Sequence, residues 1–276
     1  MRMVPQHQDM LEMSHEWDGE RFPDGRPRVS DEVLETLASA TTEQAWHVLC
    51  THGYDRQFAG GWRETHPGTV IAGRAVTAQF VPERPDLDLA VVRAGKREGH
   101  LDGGQNSWVI SLLGPGDVMV VDIFSKVYEG TVVGDNLGTA VASRTGVGAV
   151  IDGGVRDFQG LVELEGVNFF IRGVDPTPIR NVTLVGVNIP VRIGLATVLP
   201  GDVVLGTPSG VIFIPAHLAA EVAKTSKDIQ VRDRFGKLRL REGRYTSAQI
   251  DRSKWSEEIE ADFAAWRVAG EMDARP

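Results

Sequence analysis

Four polar residues in the middle of the chain have the types and spacing of a small-molecule site. Asp135 and Asn136 lie in the phrase GTVVGDNLG, and Arg156 and Asp157 follow a short apolar run further along. An arginine guanidinium can donate two parallel hydrogen bonds to a carboxylate or keto oxygen. Aspartate oxygens are hard ligands that suit Mg²⁺ or Mn²⁺, with water filling the other positions. This set of groups matches a 2-oxo acid whose enolate is stabilised by a metal ion and an arginine.

The same residues also have a purely structural interpretation. Asp135 could cap the helix that follows it. Arg156 and Asp157 could form an ion pair at the end of a strand, where an exposed pair contributes little to stability. Spacing alone leaves both interpretations open.

Other common chemistries find no support in the sequence. It contains no G-x-G-x-x-G after a strand, no G-x-x-x-x-G-K-[ST], no H-E-x-x-H and no G-x-S-x-G. Lys126 is the only lysine near the central stretch, and its polar neighbours disfavour a Schiff base, which needs a buried site. His47, Cys50 and His52 are close in sequence but match no common zinc spacing.

The elements that must position the four residues can be predicted from the same stretch. Residues 137–144 have a helical apolar period that two following glycines end. Residues 149–151 are predicted as a buried strand that breaks at residues 152–154 and presents Arg156 and Asp157. In α/β sheets, chemistry collects at loops after strands and at helix N-termini. The free amides of the first helical turn would suit a carboxylate.

Elsewhere short apolar runs alternate with turns and helical segments. Strands are predicted at residues 69–81, 118–121, 168–171, 182–187, 191–193 and 211–214, and loops at 54–62 and 96–105. Helices are predicted at residues 31–40, 42–50, 87–94, 161–165, 215–224 and 256–268. The phrase P-G-D-V occurs twice, and we interpret its aspartates, Asp117 and Asp202, as turn-capping residues that each precede a buried strand. This order predicts an α/β fold, a mixed layered domain rather than a strict βαβ series.

Composition restricts the partners and the compartment. The chain has 276 residues and a net charge of −9, which argues against nucleic acid as the main partner because phosphate binding needs a basic surface. We interpret the basic residues 232–244 as a solvated tail. Cys50 is the only cysteine, which fits a reducing compartment. No run approaches the ~18 apolar residues of a membrane helix, and residues 1–20 lack a signal-peptide core. We expect a cytoplasmic protein without a membrane partner.

The stretch GDNLGTAVASRTGVGAVIDGGVRD resembles the signature of the RraA-like family, which includes regulator of ribonuclease activity A and 4-hydroxy-4-methyl-2-oxoglutarate aldolases. The likeness runs from about residue 42 to 223 and includes GRAVTA, PGDVMVVD, IPVRIG, VLPGDVV and GVIFIP. It implies a layered β/β/α swivelling-type domain that assembles as a homotrimer or hexamer with sites at subunit interfaces. The implied division is an N-terminal arm and helix (residues 1–41), a catalytic domain (42–225) and a charged helical C-terminal extension (226–276).

The resemblance also implies roles for the central residues. Arg156 matches the arginine that binds the pyruvyl group, Asp157 the aspartate that anchors the divalent metal, and Asp135 the acidic residue that holds a metal-bound water. The implied substrate-binding residues are Gly134, Asn136, Leu137 and Arg156. A further acidic residue would come from the adjacent subunit, and its candidates are Glu221, Asp228 and Asp233.

These observations predict a Mg²⁺- or Mn²⁺-dependent carbon–carbon lyase. It would cleave a 4-hydroxy-2-oxo acid to release pyruvate, or decarboxylate oxaloacetate through the same pyruvate enolate. The chain is longer at both ends than compact family members, and residues 207–210 lack the acidic residue that usually precedes the glycine. These departures bear on the substrate more than on metal binding. Two alternatives stay open: a non-catalytic RraA-like regulator or interaction protein, and a related lyase that acts on sugar acids.

Overall fold

The computed structural model describes residues 2–99 and 103–273 of the chain. The chain forms two compact units, Met1–Ala223 and Lys224–Pro276. The predicted division at residues 41 and 225 stays a prediction. The predicted loop 96–105 includes residues 100–102, which lie outside the described residues.

The elements of the first unit alternate irregularly between helix and strand. Its helices are α1 (His7–Met13), α2 (Asp31–Leu37), α3 (Thr42–Thr51), α4 (Pro85–Arg97), α5 (Gln105–Ser111), α6 (Asp135–Thr145) and α7 (Phe158–Val162). Its strands are β1 (Phe58–Ala59), β2 (Arg63–Glu64), β3 (Ile71–Pro82), β4 (Asp117–Thr131), β5 (Gly148–Val155), β6 (Asn168–Val174), β7 (Val182–Val187), β8 (Val191–Ile193), β9 (Ala196–Val198), β10 (Val203–Thr207) and β11 (Gly210–Ile214). A 3₁₀ turn, Ala216–Leu218, leads into α8 (Ala219–Arg241), which ends in the second unit.

Nine of these strands form one mixed sheet. The order is β1-β11-β10-β3-β4-β5-β6-β2, with β7 also paired to β3, and β8 and β9 form a separate two-stranded ribbon. The central strands β3, β4, β5 and β6 are parallel neighbours. Parallel strands are covered on both faces and so consist of nearly continuous apolar residues. All eight residues of β5 are buried, as this rule requires.

The two faces of the central strands are covered by different layers. Alternate residues such as Met119 and Ile151 pack with helical residues that include Val141 of α6 and Leu161 of α7. The intervening residues, such as Val150, pack in a second cluster with the β8–β9 ribbon. The architecture is therefore a mixed α/β fold with helices on one face and a β layer on the other. The predicted α/β fold class is confirmed.

Local sequence signals explain where several helices begin. The hydroxyl of Ser30 accepts a hydrogen bond from the Val33 N–H, and Thr41 and Gln44 form a reciprocal capping box at the start of α3. Pro85 opens α4 at a position where a missing N–H costs nothing. The predicted helices at residues 31–40 and 42–50 are confirmed as α2 and α3, with α2 ending at Leu37.

Some predicted elements differ from the structure. The predicted loop 54–62 contains β1, because Phe58 pairs with Ile212 at the edge of the sheet. The predicted helix 215–224 does not start at Pro215; α8 begins after the 3₁₀ turn and extends to Arg241. No glycine or proline interrupts residues 219–235, so nothing local ends that helix earlier. The predicted N-terminal arm contains α1, in which Met10 is buried.

The second unit is helical. It contains the end of α8, α9 (Ser247–Ile250) and α10 (Glu257–Asp273), so the predicted helix 256–268 is confirmed. Its small core consists of Phe235, Tyr245, Trp255 and Ile259, with Phe263 and Trp266 packed against them. Among residues 2–99 and 103–273, no helix combines the length and apolar character needed to cross a membrane.

Candidate active site

The long strand β4 does not run straight past β5. Its register with β5 shifts between Asp122 and Lys126 and again between Lys126 and Thr131. Residues 123–130, called here the β4 excursion, include three non-glycine residues with positive φ: Phe124 (45°), Ser125 (58°) and Glu129 (55°). Such backbone is uncommon outside glycine and persists only where surrounding contacts fix it.

After the excursion the chain returns to the end of β5. The Val132 N–H donates to Gly154 O at 3.0 Å, and the Arg156 N–H donates to Val133 O at 3.0 Å. On the other side, the buried amide of Asn106 donates to Val132 O at 2.7 Å. These bonds place the loop that precedes α6 directly beside the residues that follow β5.

The predicted strand break at residues 152–154 is wrong. β5 continues through Asp152, Gly153 and Gly154 to Val155, because these residues pair with β4 and with β6. Their glycines admit a close neighbour: a Cβ on Gly154 would lie 2.7 Å from Val127 O of the excursion. The pattern that suggested a turn is thus a site of close backbone approach within a strand.

Gly134 is the point at which the two predicted loops meet. It is the N-cap residue of α6, with extended backbone (φ −111°, ψ −165°). A Cβ at this position would overlap Asp157 Oδ2 and lie 3.1 Å from Arg156 Nε. The side chains of Arg156 and Asp157 fill the space beside this glycine, so a larger residue would have to displace them. The structure therefore brings Gly134, Arg156 and Asp157 together.

Asp135 is the first residue of α6 rather than its N-cap, so the structural interpretation of this residue as a cap is wrong by one position. Its carboxylate accepts a hydrogen bond from the Asn136 N–H at 2.7 Å, and both residues are exposed. The first bond along the helix runs from the Gly138 N–H to Gly134 O at 2.8 Å. The amides of Asn136 and Leu137 thus precede the regular bonding of the helix, as at any N-terminus.

Asp157 has left-handed backbone (φ 49°, ψ 41°) at the position before α7, and within the described chain its side chain makes no capping bond to that helix. Its Oδ2 lies 3.6 Å from Arg156 Nε, and the two side chains are 45% (Arg156) and 44% (Asp157) exposed. An ion pair at this distance and exposure contributes little to stability. Both groups are therefore available to a ligand.

The helices α6 and α7 approach each other at two glycines. A Cβ on Gly160 would lie 2.7 Å from the Cβ of Asp135, and one on Gly138 would overlap Leu161. The close packing sets Asp135 beside the first turn of α7, which begins one residue after Asp157. Two carboxylates, an arginine and a helix N-terminus therefore share one edge of the sheet.

This donor set fits a hard divalent cation in a limited way. Within the described ranges, no group of three or more His, Cys, Asp or Glu side chains could hold a metal. Mg²⁺ commonly uses only one or two protein carboxylates and fills its other positions with waters or substrate oxygens. Asp135 and Asp157 could provide these two carboxylates. Glu221, a candidate for the acid donated by an adjacent subunit, lies 3.1 Å from His52 Nε2 in its own chain, and its role stays a prediction. Asp228 and Asp233 belong to the second unit.

Two further buried carboxylates lie near this edge and were not predicted from the sequence. Asp122 and Asp152 are paired in register at the ends of the apolar runs of β4 and β5, and both are buried. The sequence signal for both residues is an aspartate that directly follows a buried apolar run. The Nζ of Lys126 donates a hydrogen bond to Arg180 O at 2.7 Å.

One cavity of the first unit lies away from these residues. It has a volume of about 650 Å³ and is lined by residues that include Trp17, Tyr54, Asp202 and His217. None of the predicted site residues lines this cavity. Asp135, Asn136, Arg156 and Asp157 are exposed, and the candidate site is identified by its chemistry and by the approach of the two loops.

Comparisons with known proteins show which sequences and folds this chain resembles. A sequence profile of the family described as RraA-like, Aldolase/RraA, matches residues 27–213. An inferred 4-hydroxy-4-methyl-2-oxoglutarate aldolase from Halalkalibacterium halodurans is 30% identical over 122 residues, which are 43% of this chain and 56% of that protein. The chain thus matches little more than half the length of that relative.

Solved structures show the same fold. The structure of RraAS2 from Streptomyces coelicolor, an unusual member of the RNase ES inhibitor RraA protein family, is 26% identical with a TM-score of 0.65, and the match covers 78% of this chain and 98% of RraAS2. An uncharacterized protein from Pseudomonas syringae pv. tomato str. DC3000 is 23% identical with a TM-score of 0.68, covering 84% and 99% of the two chains.

Proposed function

Because the chain belongs to the RraA-like family, we propose that it is a divalent-metal-dependent lyase that releases pyruvate from a 4-hydroxy-2-oxo acid. The observation that carries the proposal is the approach of Gly134 to Arg156 and Asp157, which gathers an arginine, two carboxylates and a helix N-terminus at one edge. Neither loop alone contains this combination.

The binding of the oxo acid follows from the donors present. The guanidinium of Arg156 is half exposed and can direct two parallel N–H groups at a carboxylate or keto oxygen. The Leu137 amide lies at the N-terminus of α6, where unbonded N–H groups favour an anion. The neighbouring Asn136 N–H donates to Asp135 Oδ1 and would exchange this partner for the substrate. Arg156 and these amides would hold the carboxylate and the adjacent carbonyl of the substrate.

Cleavage then requires charge stabilisation and a proton acceptor. As the C3–C4 bond breaks, its electron pair moves to C3 and gives the enolate of pyruvate, while the C4 hydroxyl loses its proton and becomes a carbonyl. Arg156 stabilises the negative charge on the enolate oxygen. Asp135, which is exposed and follows Gly134 directly, accepts the hydroxyl proton through a water molecule. Protonation of the enolate at C3 yields pyruvate.

A Mg²⁺ or Mn²⁺ ion held by Asp157, with Asp135 nearby, would add positive charge that stabilises the enolate oxygen. Decarboxylation of oxaloacetate passes through the same enolate, with carbon dioxide as the leaving group in place of the aldehyde or ketone. The same site would therefore support both reactions. A related lyase that acts on sugar acids would use the same groups on a longer substrate.

A second function is favoured by one comparison. RraAS2, which this chain matches over most of its length, belongs to the RNase ES inhibitor RraA family. On this alternative the chain would bind a ribonuclease and the exposed site would be vestigial. Adding the purified protein to a ribonuclease of this kind and measuring RNA cleavage would test it.

The deciding experiment measures pyruvate release from a panel of 4-hydroxy-2-oxo acids and from oxaloacetate, with Mg²⁺, with Mn²⁺ and with EDTA. Metal-dependent release from at least one substrate supports the lyase. If no substrate yields pyruvate in the presence of either metal, the lyase proposal is wrong and the regulator becomes the better hypothesis.

A further inference from the structure

A buried ion pair joins β5 to β6, and its carboxylate, Asp152, lies four residues before Arg156. The carboxylate of Asp152 accepts a hydrogen bond from Arg172 Nε at 2.6 Å, and the two side chains are 2% (Asp152) and 19% (Arg172) exposed. The preceding residue of the same layer, Val150, is apolar, and the cross-strand neighbour Asp122 is a second buried carboxylate. Buried ion pairs often add little stability over apolar residues of similar size, because desolvation offsets their attraction. The pair therefore calls for an explanation other than stability.

Asp152 is hydrogen-bonded to the first residues of the β4 excursion. The hydroxyl of Ser125 donates to both carboxylate oxygens of Asp152, at 3.2 Å (Oδ1) and 3.1 Å (Oδ2). The neighbouring carboxylate of Asp122 accepts the Phe124 N–H at 2.9 Å. Ser125 and Phe124 are the two consecutive residues with positive φ. Two buried carboxylates thus fix the backbone where it leaves the sheet.

The excursion in turn covers the last residues of β5. A Cβ on Gly153 would lie 2.9 Å from Lys126 O, and one on Gly154 would lie 2.7 Å from Val127 O. Close packing of this kind transmits small displacements, because there is no free volume to absorb them. The residues directly before Arg156 are therefore held in place by the excursion.

Arg172 fixes the opposite side of the same strand end. Its Nη1 donates to Gly60 O at 2.7 Å, and its guanidinium lies 3.6 Å from the ring centroid of Trp62. The loop before β2 is thus tied to β6 and, through Asp152, to β5. A single ion pair joins three segments around the strand that precedes Arg156.

We infer that Asp152 and Arg172 are positioning residues for Arg156, acting through the β4 excursion and the loop at Gly60. The inference rests on the proposed function, because it assigns the network to the arginine that would bind the oxo acid. A positioning role can be distinguished from a purely stabilising one. Loss of the network would displace Arg156 and lower the turnover of the folded protein.

The first test compares Asp152→Asn with Asp117→Asn. Asp117 forms an equally buried ion pair with Arg26, at 3.1 Å and 6% (Arg26) and 2% (Asp117) exposure, but at the start of β4. We expect kcat to fall at least about tenfold in Asp152→Asn, since small misplacements of a reacting group cost this much or more. Asp117→Asn should lose stability but keep kcat per folded molecule. Equal loss of kcat in both variants would overturn the inference.

A double variant tests whether the effect passes through Arg156. If Asp152 acts only by placing that arginine, adding Asp152→Asn to Arg156→Lys should reduce kcat by less than about threefold. If the two losses multiply in full, Asp152 acts independently and the inference is wrong.

Hydrogen exchange separates this inference from the proposed function. In Asp152→Asn, the amides of Val132 and Arg156 should exchange at least about tenfold faster, because both bond across the strand end that the network fixes. In Asp117→Asn they should not. Unchanged exchange at these amides would contradict positioning even if turnover is never detected. Should Asp152→Asn fail to fold, Ser125→Ala removes only the hydroxyl and should accelerate the same amides.

Discussion

The carboxylate of Asp157 stands where a side chain at position 134 would have to lie. A Cβ on Gly134 would overlap Asp157 Oδ2, and Arg156 Nε lies only 3.1 Å from the same point. One glycine therefore allows the helix N-terminus of α6 and the end of β5 to share a surface. The chemistry proposed for the chain depends on this approach, which makes position 134 a direct test of it.

Gly134→Ala should reduce turnover strongly. The added methyl group must displace Asp157 or Arg156, and misplacement by about 1 Å can cost roughly 100-fold in rate. The backbone of Gly134 is extended, so alanine itself is not strained there. Steady-state kinetics of this variant should be compared with Gly270→Ala, where a Cβ meets no atom within 4 Å. Activity of Gly134→Ala equal to that of the control would show that the approach has no catalytic importance.

Arg156→Lys should separate a catalytic from a structural role. Lysine keeps the charge but lacks the planar two-donor geometry of arginine. Loss of one preorganised donor costs ~2.7–4 kcal/mol, or about a hundredfold or more in kcat. The melting temperature should change little, because the ion pair with Asp157 is long and exposed.

The matched control is Arg144→Lys, in the last turn of α6, where Arg144 donates to backbone carbonyls of Ser111 and Leu113. It should keep full turnover. An Arg156→Lys variant with unchanged turnover, or one that melts early, would return Arg156 to a structural role.

Removal of metal should abolish turnover reversibly. Two carboxylates without a histidine cluster favour Mg²⁺ or Mn²⁺ over zinc. Dialysis against EDTA should reduce pyruvate release to background, and Mg²⁺ or Mn²⁺ should restore it. Circular dichroism before and after dialysis controls for unfolding. Full activity in excess chelator would exclude the proposed role of Asp157.

The chain should assemble as a homotrimer or hexamer. Its own site offers only two carboxylates, and a neighbouring subunit is expected to complete it. Light scattering at micromolar concentration should give a mass of three or six copies. A monomer or a dimer would contradict this expectation.

Asp202 should make stability depend on pH. Burial raises the pKa of this carboxyl from 3.8 to about 7, although the Leu199 N–H donates to it. Below about pH 4 the group is protonated in both states. Between about pH 4 and 7 the unfolded chain releases the proton while the folded chain retains it, so stability falls as pH rises.

The Asp202→Asn variant lacks this titration and keeps an acceptor for the Leu199 N–H. Its free energy of unfolding relative to the parent should therefore rise by about 3 kcal/mol between pH 4.5 and pH 8.5, since one pKa unit corresponds to 1.36 kcal/mol. Urea titrations of both proteins at the two pH values measure this. A difference that is the same at both pH values would show that Asp202 ionises normally.

The sequence by itself determined the fold class and the positions where α2 and α3 begin. The apolar runs at residues 118–121 and 149–151 are strands because continuous burial suits parallel neighbours. Ser30 and Thr41 begin helices through side-chain bonds that depend only on adjacent residues. The phrase GDNLG and the pair Arg156–Asp157 also indicated a family and a chemistry. Each of these signals is local, so tertiary contacts were not needed to detect it.

Only the tertiary structure decided how those groups meet. The residues Asp152-Gly153-Gly154 suggested that the strand breaks there, yet β5 continues because these residues pair with β4 and β6, and the β4 excursion packs directly on Gly153 and Gly154. The excursion depends on contacts between residues far apart in sequence, such as Asp152 with Arg172 and Ser125. In the sequence, a glycine that forms a turn cannot be distinguished from one that allows two segments to approach closely. The partner that distinguishes the two is brought near only by folding, and at Gly134 that partner is Asp157.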